Sequence, residues 1–275
     1  IIEDAYSLGM KIGVPSDNSA LGQSYTDDFE AFINDHTQPP GKLLEIGAGV
    51  GYLSSRLAKR GWDVTSLEPG RGYASYWRRH GLSVIPDRFP SPMAPGPYSV
   101  IILYTVLEHI RDTSTFLTQI KEHLEPDGIV LLGVPDCSIE IASGDPAILL
   151  HQHWNYFTKA SLTRTILTAG FKGTVSHSGF GRCLYAAIRP EKDAHIWNKK
   201  RCVSLAELNN LFSFGTRVIK FRQRFVKRLR NALFNGSVGI YCPCRALYLL
   251  PRDIANLRFF DDAKWIQGRF YPPFG

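Results

Sequence analysis

The 275-residue chain has no apolar run approaching the roughly 18 residues of a membrane-spanning helix. It also lacks a disulfide framework. Its five cysteines, Cys137, Cys183, Cys202, Cys242 and Cys244, are an odd and dispersed set for a chain this long, which points to a reducing, cytoplasmic setting. Cys242-Pro243-Cys244 has no second pair to complete a zinc site. The opening Ile1-Ile2-Glu3-Asp4 is acidic and lacks the basic-then-apolar layout of a signal peptide. Without an initiator Met it reads as the start of a fragment or a processed chain. Between Leu208 and Arg252 there is no Asp or Glu against nine Arg and Lys, whereas the remainder carries 23 basic and 25 acidic residues. The net charge of +7 is therefore local, and so is whatever it attracts. A hydrophobic fraction of 44% suffices for a buried core, in one large domain or one domain with an appendage.

Two further absences define the most informative stretch. Leu43-Leu44-Glu45-Ile46-Gly47-Ala48-Gly49-Val50-Gly51, with Glu68 ending the next apolar run, reads as strand, glycine turn, helix and a second strand closed by a carboxylate. Such a unit binds a nucleoside: glycines let the backbone approach the ligand, and the carboxylate accepts from ribose hydroxyls. A dinucleotide fingerprint G-x-G-x-x-G is not there, because the third glycine comes one residue early and Tyr52 takes its place. No G-K-S/T follows, which excludes a phosphate-cradling loop. Glu45 is expected to point into the same turn, where a carboxylate repels phosphate and suits a cationic amino-acid ligand. S-adenosylmethionine has an ammonium, a sulfonium and a ribose, and no phosphate. The plain alternative is an ordinary strand–turn–helix whose glycines serve packing.

The pattern around this unit alternates strands with helices. Strands are expected at Leu43–Ile46, Val64–Leu67, Leu82–Ile85, Val100–Tyr104, Ile129–Val134, Thr174–His177 and Leu184–Ile188, the last two as an antiparallel hairpin. Helices are expected at Tyr25–Ile33, covering the mouth of the site, and at Tyr52–Arg60, Tyr73–His80, Ser114–Leu124 and Ser161–Ala169. The implied fold is α/β: a doubly wound, mostly parallel seven-stranded Rossmann-like sheet over residues 1–190. A basic helical extension over 191–237 and a partial second α/β unit over 238–275 follow. In the extension Val218, Phe221, Phe225, Leu229 and Leu233 share one face. Its basic face fits a solvated surface, attraction of a diphosphate-bearing substrate or an anionic membrane surface, or, ranked last, nucleic acid. Leu257–Phe260 is expected as a strand ending in Asp261-Asp262, in a unit that Gly275 cuts short.

The chain resembles the class I S-adenosylmethionine-dependent methyltransferases over residues 20–190. The carrying residues are Glu45 to Gly51, Ser66-Leu67-Glu68-Pro69-Gly70, Val106-Leu107-Glu108-His109-Ile110 and Leu124-Glu125-Pro126-Asp127-Gly128. Within that superfamily His151-Gln152-His153-Trp154-Asn155-Tyr156-Phe157-Thr158, with Ala169-Gly170-Phe171 after it, is similar to the sugar C-methyltransferase branch of polysaccharide and deoxysugar pathways. Gln152 stands where that branch has glutamate, Ser99 replaces the aspartate common before the fourth strand, and Cys242 and Cys244 occupy an expected Gly-rich turn.

The resemblance implies a small-molecule carbohydrate substrate and a set of roles. Glu45, Gly47, Ala48, Gly49 and Gly51 would face the methionine and ribose parts of the cofactor, and Glu68, followed by Pro69, would hold the ribose. Asp87 would accept from the adenine amino group, with Arg88 or Phe89 on the ring. Tyr104 would line the reactive end and Tyr25 close over it. Asp87 as a turn residue and Tyr104 as a core aromatic are the structural alternatives. His153 is the best candidate for a general base, with His151 on the same side of an extended segment; the alternative is a pair of structural histidines. His109 would orient substrate, unless Glu108 simply favours a helix N-terminus. No metal site is expected, because no third ligand has a sequence cue.

Overall fold

The structure, a computed structural model, describes residues 19–149, 152–191, 205–241, 249–250 and 257–260. His151, Cys202, Cys242, Cys244, Asp261 and Asp262 lie outside the described residues. The chain divides into two compact units, Ile1–Cys137 with His151–Arg201, and Ser138–Leu150 with Cys202–Gly275.

In the first unit the elements run α1 (Ala20–His36), β1 (Lys42–Ile46), α2 (Tyr52–Lys59), β2 (Asp63–Leu67), α3 (Ala74–His80), β3 (Tyr98–Tyr104), α4 (Thr113–Glu122) and β4 (Leu124–Pro135). Ser138–Ser143 forms α5, of the second unit, and the first resumes with α6 (Lys159–Thr168), β5 (Phe171–His177) and β6 (Cys183–Pro190). The six strands form one sheet in the order β2-β1-β3-β4-β6-β5. The pairs β1–β2, β1–β3 and β3–β4 are parallel, and β6 runs antiparallel to both β4 and β5. The sheet is thus mixed, and the expected hairpin forms with Val175 opposite Ala186.

One expected strand is missing from this sheet of described residues. Leu82–Ile85 shrinks to a single parallel bridge between Ile85 and Leu67, in which Ile85 donates to Ser66 and accepts from Glu68. Pro86 follows, with no N–H for a further rung and a ring that restricts Ile85. Six strands therefore replace the expected seven.

Side-chain alternation along the strands builds two cores. Leu44, Ile46, Ile101, Leu103 and Leu132 share one with Leu117 and Ile120 of α4 and Leu162 and Ile166 of α6. Leu43, Ile102, Tyr104 and Tyr185 share the other with Phe29 and Ile33 of α1 and Leu53 and Leu57 of α2. This explains the near-continuous apolar run of β3, which is covered on both faces. Helix α1 starts earlier than its apolar pattern suggests because Ser19 caps it, accepting from Gly22 at 3.0 Å. Its Glu30 is buried and paired with Arg56 of α2 and with Arg60 just beyond that helix, each at 2.5 Å.

In the second unit, α7 (Leu205–Phe234) is followed by β7 (Val238–Tyr241) and β8 (Leu257–Phe260), which pair in parallel. On α7 the exposed residues include Lys220, Arg222, Arg224, Lys227, Arg228 and Arg230, while Leu229 is buried. Arg217 instead donates to Ile141 of α5 at 3.0 Å, so it serves the unit's own packing. No helix among the described residues is long and apolar enough to cross a membrane.

Phe29 is fully buried and stacks on Tyr104 with ring centroids 4.4 Å apart. Truncating it leaves a cavity between α1 and the sheet, so Phe29→Ala is expected to lose about 3–5 kcal/mol in urea unfolding. A loss below about 1 kcal/mol would show that α1 does not close this core.

Candidate active site

The glycine turn lies at the C-terminal end of β1, where ligands bind in open α/β sheets. Gly47, Gly49 and Gly51 all have positive φ, at 78°, 52° and 76°. Gly47 is irreplaceable for a second reason: a Cβ there would sit 2.4 Å from Cγ2 of Val106. The turn is tied to β2 by Gly47 and Ala48, whose N–H groups both donate to the Leu67 carbonyl at 2.8 and 3.0 Å.

Glu68 closes the arrangement. Its Oε2 accepts from the Gly49 N–H at 2.9 Å and its Oε1 from the Gly70 N–H at 2.6 Å, across Pro69. Burial pushes its pKa above the ordinary carboxylate value, and the Gly70 and Gly49 N–H groups oppose that shift. Each carboxylate oxygen has a second lone-pair direction, so the group retains capacity to accept from a diol. Trp77 of α3 donates its indole N–H to the Gly49 carbonyl at 2.9 Å. The sequence reading missed this brace, since an apolar position on a short helix carries no sign of a hydrogen bond.

Glu45 does not point into the turn. Alternation along β1 puts it on the face of Leu43, under α2, where its carboxylate accepts from the Ser54 hydroxyl, itself 2.6 Å from that of Ser66. Burial raises its pKa to about 7, opposed by Ser54 and aided by the charge of Glu68. Glu45 therefore supports the turn from behind.

The other expected cofactor residues are placed as follows. Asp87 is half-buried and bound locally, accepting from the Arg88 N–H at 2.8 Å and the Ser91 hydroxyl at 2.7 Å, which holds its pKa below the ordinary value. Phe89 is committed to the core, edge-on to Phe116 and His123. Tyr104 is buried against Phe29, and Tyr25 rests on Phe180 in the β5–β6 turn with centroids 4.7 Å apart. Cys183 lies close by, but burial pushes its thiol up to about 11, so it is no nucleophile at neutral pH.

Beyond β3 the backbone is strained. Thr105 has φ 56°, the single positive φ at a non-glycine position among the described residues. This kink throws Val106 against Gly47 and starts a 3-10 turn, Leu107–His109. The segment 152–157 is fastened onto that turn. Trp154 and Asn155 donate their backbone N–H groups to the Glu108 carbonyl at 2.9 and 3.1 Å, and the Asn155 amide donates to the Ile110 carbonyl at 2.7 Å. In consequence His109 and His153 meet edge to face, 4.7 Å between centroids. His109 Nδ1 donates to the Gln152 carbonyl at 3.1 Å, which fixes its tautomer. Burial lowers the His109 pKa, and burial raises that of Glu108 to about 8. Oε2 of Glu108 is buried with no hydrogen-bond partner among the described residues. A donor from each of Glu108, His109 and His153 lies within 4.8 Å of the others. The fold thus brings three possible donor groups together, which sequence spacing did not reveal.

A glycine turn closed on the carboxylate of the second strand, in a doubly wound sheet whose sixth strand is reversed, defines a nucleoside-binding fold of the class I methyltransferase type. A family model described as a methyltransferase domain matches residues 22–176. The chain belongs to that family, the class I S-adenosylmethionine-dependent methyltransferases. Among curated proteins it is 26% identical over 147 residues to a ubiquinone biosynthesis O-methyltransferase of Aeromonas salmonicida (strain A449), a match covering 47% of this chain and 62% of that one. To the protein of the same name from Paramagnetospirillum magneticum it is 30% identical over 95 residues, covering 32% and 38%. The chain thus spans 62% or less of the length of these relatives. Two solved structures share the fold. The PH0226 protein from Pyrococcus horikoshii OT3 has TM-score 0.53, 15% identity and coverage of 65% and 96%. The DhpI–SAH complex has TM-score 0.50, 18% identity and coverage of 70% and 94%.

The raised pKa of Glu45 has a thermodynamic consequence. Between the ordinary value of 4.5 and about 7 the folded protein binds a proton that the unfolded chain has released, so stability falls as pH rises. Relative to Glu45→Gln, the unaltered chain is expected to lose up to about 3 kcal/mol between pH 4 and pH 8. Urea unfolding of both proteins across that range measures it, and parallel profiles would contradict the assignment.

Proposed function

We propose that this protein transfers the methyl group of S-adenosylmethionine to a small-molecule carbohydrate, a nucleotide-linked sugar or glycan precursor. The observation that carries the reading is the glycine turn held on Glu68, with the Glu108, His109 and His153 cluster joined to it through Val106 and Gly47. Gly47, Ala48, Gly49 and Gly51 line the amino-acid and ribose portions, Glu68 takes the ribose hydroxyls, and Asp87 with Arg88 meets the adenine. Tyr104 and Tyr25 belong to the wall near the reactive end.

The sulfonium is already a strong electrophile, so the protein's main task is alignment of an acceptor in line with the methyl–sulfur bond. As the acceptor attacks, that bond breaks and the sulfur leaves as a neutral thioether. The acceptor's proton passes to His153, and His109 orients the acceptor. A base in this position adds roughly 10²–10⁴-fold.

The run His153-Trp154-Asn155-Tyr156 supports a sugar acceptor through its likeness to the sugar branch. A second reading, O-methylation of another small metabolite, is favoured by the names of the curated relatives, which are O-methyltransferases. A silent binding module is the third, suggested by Gln152. A reducing, cytoplasmic location fits the odd, dispersed set of five cysteines. The exposed basic residues of α7 suit peripheral contact with an anionic membrane surface.

Incubation with methyl-labelled S-adenosylmethionine and panels of nucleotide sugars and hydroxylated metabolites should yield labelled sugar, with product analysis separating carbon from oxygen acceptors. Label confined to a non-sugar product would favour the second reading. In His153→Ala the rate is expected to fall at least 100-fold while cofactor affinity stays within about twofold. A rate equal to that of the unaltered chain would remove His153 from the chemistry.

A further inference from the structure

We propose that Glu108, His109 and His153 form a binding site for a first-row divalent cation. Two imidazoles and one carboxylate are a donor set for Zn²⁺, Mn²⁺, Fe²⁺ or Co²⁺ rather than Mg²⁺ or Ca²⁺, which prefer oxygen. The three donors come from two separate segments, and their placement is built. Glu108 and His109 sit on a 3-10 turn behind the Thr105 kink, and His153 is delivered by a loop that the Glu108 carbonyl and the Asn155 amide hold in place.

Two observations point to a cation rather than to a chance cluster. Among the described residues the buried Oε2 of Glu108 has no hydrogen-bond partner, and the residue is only 2% exposed. Such an atom is costly to bury unless something binds it. His109 donates its Nδ1–H to the Gln152 carbonyl, and this sets the lone pair of the neutral ring on Nε2. A backbone carbonyl on the far nitrogen is the usual means of orienting a metal-bound imidazole. The donor atoms lie within 4.8 Å of one another, whereas donors around a common ion at about 2.0–2.2 Å stand roughly 3–3.5 Å apart, so closure asks for side-chain movements of about an ångström.

Three protein ligands leave coordination positions open. An acceptor hydroxyl taking one of them would be acidified by the cation and would release its proton to water, with the cation in place of a metal-bound His153 as the activating group. Cation binding itself rests on these three residues and stands apart from the methyl-transfer reading. That activating role rests on the reading.

The test uses the full, untagged chain after chelator treatment, with Co²⁺ as the probe. Calorimetry and optical titration should show one Co²⁺ per chain, bound at least tenfold more weakly in His153→Ala and in Glu108→Gln, and unchanged in His80→Ala. Affinity for S-adenosylhomocysteine, measured on every variant, should stay within about twofold, which separates loss of the cation site from loss of the fold or of the cofactor site. Anomalous scattering from Co²⁺-loaded crystals of the unaltered chain should place the ion on the three side chains. The proposal is overturned if the unaltered chain binds no Co²⁺ saturably, if binding survives His109→Ala combined with His153→Ala, or if the ion sits elsewhere.

Discussion

The site is organised by one buried carboxylate. Glu68 binds backbone N–H groups on both sides of the cofactor crevice, Gly49 in the first turn and Gly70 in the second. Hydrogen bonds to a charged group contribute about 1.5–3 kcal/mol each, and two of them offset part of what burying the carboxylate costs. They also fix where the acceptor oxygens stand. The rest of the crevice follows from that constraint: Trp77 holds the opposite side of Gly49, and Glu45 with Ser54 and Ser66 stiffens the turn from beneath.

A second buried acidic residue, Glu108, anchors the neighbouring histidine loop, and does so through its backbone. Its carbonyl receives two N–H groups of the 152–157 segment, so the histidine loop is docked by main-chain bonds that do not depend on the loop's side chains. The Thr105 kink brings this docked pair up to Gly47 through Val106. Strain of about 1–3 kcal/mol at one residue is thereby exchanged for contact between the glycine turn and the segment that carries Glu108 and His109.

Much of this was legible in the sequence because it is written locally. The spacing of Gly47, Gly49 and Gly51 before a helix, and the carboxylate at the end of the next strand, are short-range signals, as are the apolar strands covered on both faces. What escaped is non-local or competitive. The edge strand at Leu82–Ile85 has a strand-like composition, but Pro86 and the edge position reduce it to one bridge. Glu45 reads as a residue of the turn, whereas strand alternation turns it under α2. His109 and Gln152 are 43 residues apart, and only the docking of 152–157 reveals that His109 and His153 face each other. The hydrogen bond from Trp77 has no sequence signature at all.

The central claim is that the crevice closed by Glu68 holds an adenosyl sulfonium and no pyrophosphate. Calorimetric titration of S-adenosylhomocysteine into the unaltered chain and into Glu68→Ala tests it most directly. One-to-one binding, weakened at least tenfold by the substitution, is the predicted result. Equal affinity in both proteins, or no binding by a chain that takes up a nicotinamide or flavin dinucleotide instead, would contradict it.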